Sequence, residues 1–252
     1  MSSRTGYHAS HMAKPARSPM PPVAEILQSL EAYATPKDLA NLGRFGITSA
    51  NALGVSIANV QKVARAIGRD HATAEALWMS GVYEARLLAS YVDEPAEVTV
   101  AQMDRWCRDF DSWGVCDTVC FVLFDRTPHV WRFIDRWSRG RPEFVRRAAF
   151  ALMASLAVHD KAAADSLFAE RLPLVEKAAS DERDLVRKGV SWALRTTGRR
   201  NEVLHATALA VAKRLADASD AGSRWVGKDA VRELTGPIVA RQLQRRRAAK
   251  KR

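Results

Sequence analysis

The sequence is short of the features that define several protein classes. It holds 3 cysteines in 252 residues, too few and of odd count for a disulfide framework. Cys116 and Cys120 stand four residues apart, with His129 the one further ligand type nearby. Two thiols and one distant imidazole are too small a donor set for a structural zinc site, so buried reduced thiols are expected. Long apolar runs are also missing. The longest, residues 148–158, covers 11 positions and is interrupted by Ser155, whereas a spanning helix takes about 20. No segment alternates apolar and polar residues between hairpin turns, so strands are not expected. Residues 1–22 are rich in Ser, Pro and His and lack the run of about 7–15 apolar residues of a secretory signal.

Acidic residues are scarce relative to basic ones: 28 against 39, for a net charge of +11. Such an excess suits a polyanionic partner, or simply basic tails. Its position decides between these. Arg4, Lys14 and Arg17 put +3 on residues 1–22, and seven cations from Arg241 to Arg252 put +7 on residues 241–252. The long segment between them carries +1. The sequence therefore divides into a disordered leader (1–22), a nearly neutral body (23–240) and a basic C-terminal tail (241–252), with both termini expected to be disordered. A basic tail holds any polyanion weakly and in a salt-sensitive way, so function must be sought in the body.

The body reads as helix throughout. Thr35-Pro36 and Thr127-Pro128 place a capping hydroxyl before a proline at the first helical position. Thr99 followed by Gln102 is a capping box. Ser56 opens a run with Ile57, Val60, Val63, Ala64 and Ile67 on one helical face. Breaks at Gly54, Gly81, Glu94-Pro95, Gly140-Arg141-Pro142, Gly198 and Gly222 leave about twelve to fourteen helices with short connections. The helices also repeat. Phe144-Val145-Arg146-Arg147-Ala148-Ala149 has two evenly spaced counterparts downstream, Leu185-Val186-Arg187-Lys188-Gly189-Val190 and Val226-Gly227-Lys228-Asp229-Ala230-Val231. A period of ~40–47 residues built from helix pairs is that of HEAT and armadillo repeats. The expected fold is all-α: a curved α-α superhelix, or solenoid, of HEAT-like helix pairs with one concave face.

Three groups of residues could carry chemistry. Trp113 and Asp117 are four apart and share a helical face. An indole beside a carboxylate can hold a cation; the plainer alternative is a core Trp with Asp117 satisfied by a neighbouring Arg. Lys188, Trp192, Arg195 and Arg199 form a single stripe, offering cations for phosphates and a flat ring for a sugar or base. The alternative there is a solvated basic face. Arg147 stands above Ala151, Ala154 and Val158, where it could grip an anion through two N–H groups or serve as a structural ion pair.

Together, Trp-x-x-x-Asp, then Arg-Ala-Ala about thirty residues on, then Lys-x-x-x-Trp-x-Leu-Arg resemble the AlkD-type DNA alkylation repair glycosylases, over residues 39–234. The resemblance is most specific at residues 112–119, 144–152 and 186–195. It implies a HEAT-like-repeat enzyme that removes cationic N3- and N7-alkylpurines from duplex DNA without drawing the base into a closed pocket. It further implies Asp117 as the catalytic carboxylate, Trp113 and Trp192 as indoles flanking the lesion sugar, and Arg147 as the cleft arginine. Arg195 and Arg199 fall at phosphate-contacting positions, with Lys188 on the same stripe. Phe45 falls near a family Tyr and lacks its hydroxyl. Gly114 stands where a larger polar residue is common, and the interval from Arg147 to Trp192 is longer, near residues 160–165. Neither a metal nor a cofactor is implied. The expected partner is alkylated double-stranded DNA, with a monomer acting in the cytoplasm or on a bacterial nucleoid and no membrane contact. Two other functions fit the same pattern: a non-catalytic binder of damaged or branched DNA, and a protein-binding HEAT scaffold.

Overall fold

The computed structural model describes residues 20–250; almost all of the expected N-terminal leader lies outside them. Among the described residues there are fifteen α-helices, one 3-10 turn and no strand. The helices run α1 (Val23–Glu31), α2 (Pro36–Arg44), α3 (Ile57–Ile67), α4 (His71–Met79), α5 (Tyr83–Val92), α6 (Val100–Arg108) and α7 (Trp113–Val122). After the 3-10 turn Phe124–Arg126 come α8 (Val130–Trp137), α9 (Glu143–His159), α10 (Asp165–Ala169), α11 (Leu172–Ala178), α12 (Asp184–Gly198), α13 (Glu202–Ala216), α14 (Ala221–Leu234) and α15 (Pro237–Lys250).

Local signals set most of the helix starts. Thr35 accepts the Asp38 N–H at 3.0 Å with Pro36 at the first helical position, and the Thr99–Gln102 capping box is complete. Ser112 caps α7 through the Val115 N–H at 3.3 Å. Thr127-Pro128 is a correction: α8 begins at Val130 instead. The Thr127 hydroxyl turns back to the Phe124 carbonyl at 2.8 Å, so it closes the 3-10 turn rather than opening the helix.

The helices stack in two layers. Helices α3, α5, α7, α9, α12 and α14 follow one another in the first layer, and α4, α8, α11 and α13 pack behind α5, α9, α12 and α14. This is the HEAT-like solenoid expected from the repeat: its three blocks fall on α9, α12 and α14, three neighbours in one layer. Helix α9 is buried on nearly all sides from Arg147 to Ala157, because it meets both layers and both neighbours, and its alanines let those neighbours approach. Gly227 serves the same end on α14. A Cβ there would lie 2.1 Å from the Ala216 nitrogen, so the close contact with the end of α13 requires glycine. In the N-terminal half, the Trp78 and Trp106 rings stack 4.0 Å apart at 3°. The thiols of Cys107, Cys116 and Cys120 are free and buried.

The basic C-terminal segment is a second correction. It is not disordered over its described length: α15 runs unbroken across the boundary at residue 240 to Lys250. Val239 is buried, and Arg246 donates to the Arg199 carbonyl at 2.5 Å and to the Arg200 carbonyl. A cation thus meets the carbonyl end of α12, where the helix dipole favours it.

Candidate active site

Helices α7, α9 and α12 are consecutive in the first layer, and each supplies part of one polar cluster. Asp117, in the second turn of α7, receives Arg147 of α9 through two parallel bonds: Nε to Oδ1 at 2.8 Å and Nη2 to Oδ2 at 2.7 Å. The third nitrogen of Arg147 donates to the Leu185 carbonyl of α12 at 2.5 Å. One guanidinium therefore ties three layer helices together. Desolvation raises the pKa of Asp117, opposed by the hydrogen bond and charge of Arg147. For Arg147, desolvation disfavours the charge, but the hydrogen bond and charge of Asp117, with the nearby Cys116 and Cys120, together outweigh it and the pKa rises. The pair is a charge-assisted bidentate clamp in a partly dry setting. Asp117 keeps 17% of its side chain exposed against 7% for Arg147, so the carboxylate is the more accessible member of the pair. Each carboxylate oxygen has a second lone pair beyond the one Arg147 uses.

The two tryptophans flank this pair in sequence and in layer order. Trp113 opens α7 and is half-buried; its indole N–H donates to the Phe45 carbonyl at 2.9 Å. Phe45 thus meets Trp113 through its backbone, while its own side chain is 66% exposed. The missing hydroxyl is irrelevant to that contact. Trp192 on α12 does not stand alone. It stacks face to face on Phe121 of α7, 4.6 Å apart at 3°. Phe121 is not among the expected residues, although it continues the Trp113-Asp117 stripe by one more step of four.

The basic stripe of α12 is arranged differently from its sequence reading. Lys188 pairs with Asp184 one turn back at 2.7 Å. Arg195 lies 3.3 Å from Asp229 and also pairs with Glu233. Arg199 reaches the same Glu233 at 3.3 Å and Gln242 at 3.4 Å. Asp229 also accepts the Ser191 hydroxyl at 2.7 Å. The carboxylates of α14 therefore neutralise much of the stripe. Sequence reasoning missed them because Asp229 and Glu233 lie 34 to 38 residues beyond their partners, and only the stacking of α14 on α12 brings them there.

Gly114 is accounted for by a neighbour. A Cβ at this position would fall 2.4 Å from the Tyr83 hydroxyl and 3.0 Å from Ile47 Cδ1. Tyr83 on α5 is buried, and burial, then the Glu84 and Asp111 charges, push its pKa up to about 12. The phenol therefore stays neutral and occupies the room that a larger side chain at position 114 would need.

These features define a HEAT-like α-solenoid with a clamped carboxylate and two half-buried indoles spread over three successive helices of one layer. The sequence matches the family model described as "DNA alkylation repair enzyme" over residues 26–234, and the chain belongs to that family. No curated protein matches it. Among solved structures, one described as belonging to "a new family of proteins related to the HEAT-like repeat DNA glycosylases with affinity for branched DNA structures" is similar in fold. It superposes with a TM-score of 0.70 at 19% identity, covering 84% of this chain and 95% of that one. A designed armadillo repeat protein in complex with a (KR)4 peptide matches at a TM-score of 0.29 and 13% identity, over 88% and 79% of the two chains. No helix among the described residues is long and apolar enough to cross a membrane.

Proposed function

We propose that this protein is a monofunctional DNA glycosylase that hydrolyses the N-glycosidic bond of cationic N3- and N7-alkylpurines in duplex DNA, with Asp117 as its essential carboxylate. The observation that carries the reading is the Asp117–Arg147 clamp. The carboxylate is held in one orientation and stays partly exposed, one turn after Trp113 on α7 and one turn before Phe121, on which Trp192 stacks.

An alkylated purine already carries a positive charge and needs no proton to depart. The C1′–N bond breaks with its electron pair going to the base, which leaves neutral. Positive charge then develops on the sugar. A fixed carboxylate beside it, with indole faces nearby, stabilises that charge without reorganising. Water adds at C1′ and loses its proton to Asp117 or to solvent. Trp113 and Trp192 are held by Phe45 and Phe121, so their rings are restrained before DNA arrives. An open helical layer also suits a base that is not enclosed, in contrast to enzymes that extrude the base into a pocket.

The second reading is recognition of branched or damaged DNA by shape, without chemistry. What supports it is the likeness in fold to the protein described as having affinity for branched DNA structures, which needs no catalytic carboxylate. Single-turnover release of 7-methylguanine or 3-methyladenine from methylated duplex separates the two. Release by the wild type and none by Asp117→Asn supports the enzyme. Salt-sensitive DNA binding with no release by the wild type overturns it in favour of the binder.

A further inference from the structure

Where the cations of α12 are matched by acids, another set beside the site is not. Helix α9 ends at His159, whose ring meets Phe121 edge-on at 5.4 Å; Phe121 in turn carries Trp192. The His159 Nδ1 is fixed 2.6 Å from the buried Asp125. The α9–α10 loop therefore starts one ring away from the Phe121–Trp192 stack. This loop spans residues 160–164. It is built rather than loose. Arg200 donates to the Asp160 carbonyl at 2.5 Å and the Ala163 carbonyl at 2.6 Å, and Asp160 accepts the Ala162 and Ala163 N–H groups.

Lys161 projects from this loop, exposed, and forms no ion pair among the described residues. Arg246 of α15 reaches the Arg199 and Arg200 carbonyls next to it and likewise has no carboxylate partner among the described residues. Arg241 and Arg245, on the same helix, are exposed and also have none among the described residues. Partial desolvation, then the Arg246 and Arg200 charges, lower the pKa of Lys161, as befits a cation among cations. Of the nearby carboxylates, Asp165 is held by Asn201 and Arg200, Glu202 by Arg247, and Asp160 by the Ala162 and Ala163 N–H groups of its own loop.

We propose that the α9–α10 loop and helix α15 form a phosphodiester-binding surface that carries the DNA backbone onward from Trp192, with Lys161 and Arg246 at its inner end and Arg241 and Arg245 extending it. Unneutralised cations along a fixed backbone supply counterion release, the main sequence-independent term in DNA binding. The inference rests on DNA as the ligand of the neighbouring site but not on catalysis there.

The test is binding of a labelled unmodified duplex to the full chain over a range of salt. Lys161→Gln, at an exposed position, should weaken binding several-fold and make the slope of log K against log salt shallower by about 0.9, the value for one lost phosphate contact. Lys161→Arg should restore both, and Arg245→Gln should add a second decrement. An unchanged slope in Lys161→Gln overturns the proposal. Single-turnover excision by the same proteins at saturating concentration keeps the two readings apart. Excision with an unaltered Lys161→Gln slope removes this surface and leaves the glycosylase standing. A shallower slope in a wild-type background that excises nothing does the reverse.

Discussion

Arg147 on α9 holds both carboxylate oxygens of Asp117 on α7 at 2.8 and 2.7 Å, and a third nitrogen of the same guanidinium reaches the backbone of α12. The residue assigned to charge stabilisation and the bond that aligns three helices are therefore parts of one structure. Asp117→Asn keeps the shape but replaces an anion with a dipole. It should lower single-turnover excision by ~10²–10³-fold, the loss seen when a stabilising group of this kind is removed, while duplex binding changes little. Normal excision by the variant would remove Asp117 from the chemistry.

On the proposed chemistry, acid should end excision at a higher pH than it would for an unperturbed aspartate. Desolvation raises the Asp117 pKa and Arg147 pulls it down, with a net rise. On the proposed chemistry the active form is the ionised one, so activity should be full above the folded-state pKa and fall as pH drops through it. Arg147→Gln leaves desolvation unopposed, which moves that acid limb further up. The same change strands a carboxylate with 17% of its side chain exposed, and breaking a buried pair costs about 3–5 kcal/mol at its upper end. Rate–pH profiles with a thermal melt check both. An acid limb that stays put in Arg147→Gln contradicts the assignment.

Phe121 should matter to excision through Trp192. It is the surface on which Trp192 lies, and such stacks contribute about 0.5–1.5 kcal/mol beyond burial. Phe121→Ala should slow excision by up to roughly tenfold. Its effect should largely vanish in a Trp192→Ala background, because both substitutions break the same contact. Additive losses in the double variant would mean that the two rings act separately.

Glu233 should restrain DNA binding. It pairs with Arg195 and Arg199 together. Glu233→Gln frees charge on the α12 stripe, so affinity for duplex should rise a few-fold and the salt dependence should steepen. A weaker complex with an unchanged slope would make the pairings purely structural.

Gly114→Ala tests the packing of α7 against α5. Its methyl would meet the Tyr83 hydroxyl 2.4 Å away, and overpacking of this kind costs about 1–3 kcal/mol. Tyr83→Phe removes the offending oxygen and should recover much of that loss, as measured by denaturant midpoints. Equal destabilisation in both backgrounds would place the conflict at Ile47 instead.

The helical fold was legible because its signals are local. The Thr99–Gln102 box and the Thr35-Pro36 start each depend on neighbours within one turn, and the even recurrence of the Phe144, Leu185 and Val226 blocks needs no more than the order of residues along the chain. The Trp113–Asp117 and Lys188–Trp192–Arg195 stripes follow from helix geometry alone. Thr127-Pro128 misled because the same hydroxyl can close a turn as readily as open a helix.

By itself, then, the sequence determined the helices, their repeat, the spacing of the site residues along each stripe and the near neutrality of the body. The tertiary structure decided which charge meets which. Asp117 could have faced several arginines, and only the stacking of α9 on α7 assigns it Arg147. The apparent phosphate contacts Arg195 and Arg199 are matched by Glu233, 38 and 34 residues away, while Arg246 of the basic segment is folded back on α12 with no carboxylate partner among the described residues. The reason is physical: helix formation is governed by contacts three and four residues apart, whereas a charge answers to whatever lies within a few ångströms, and packing brings distant segments that close.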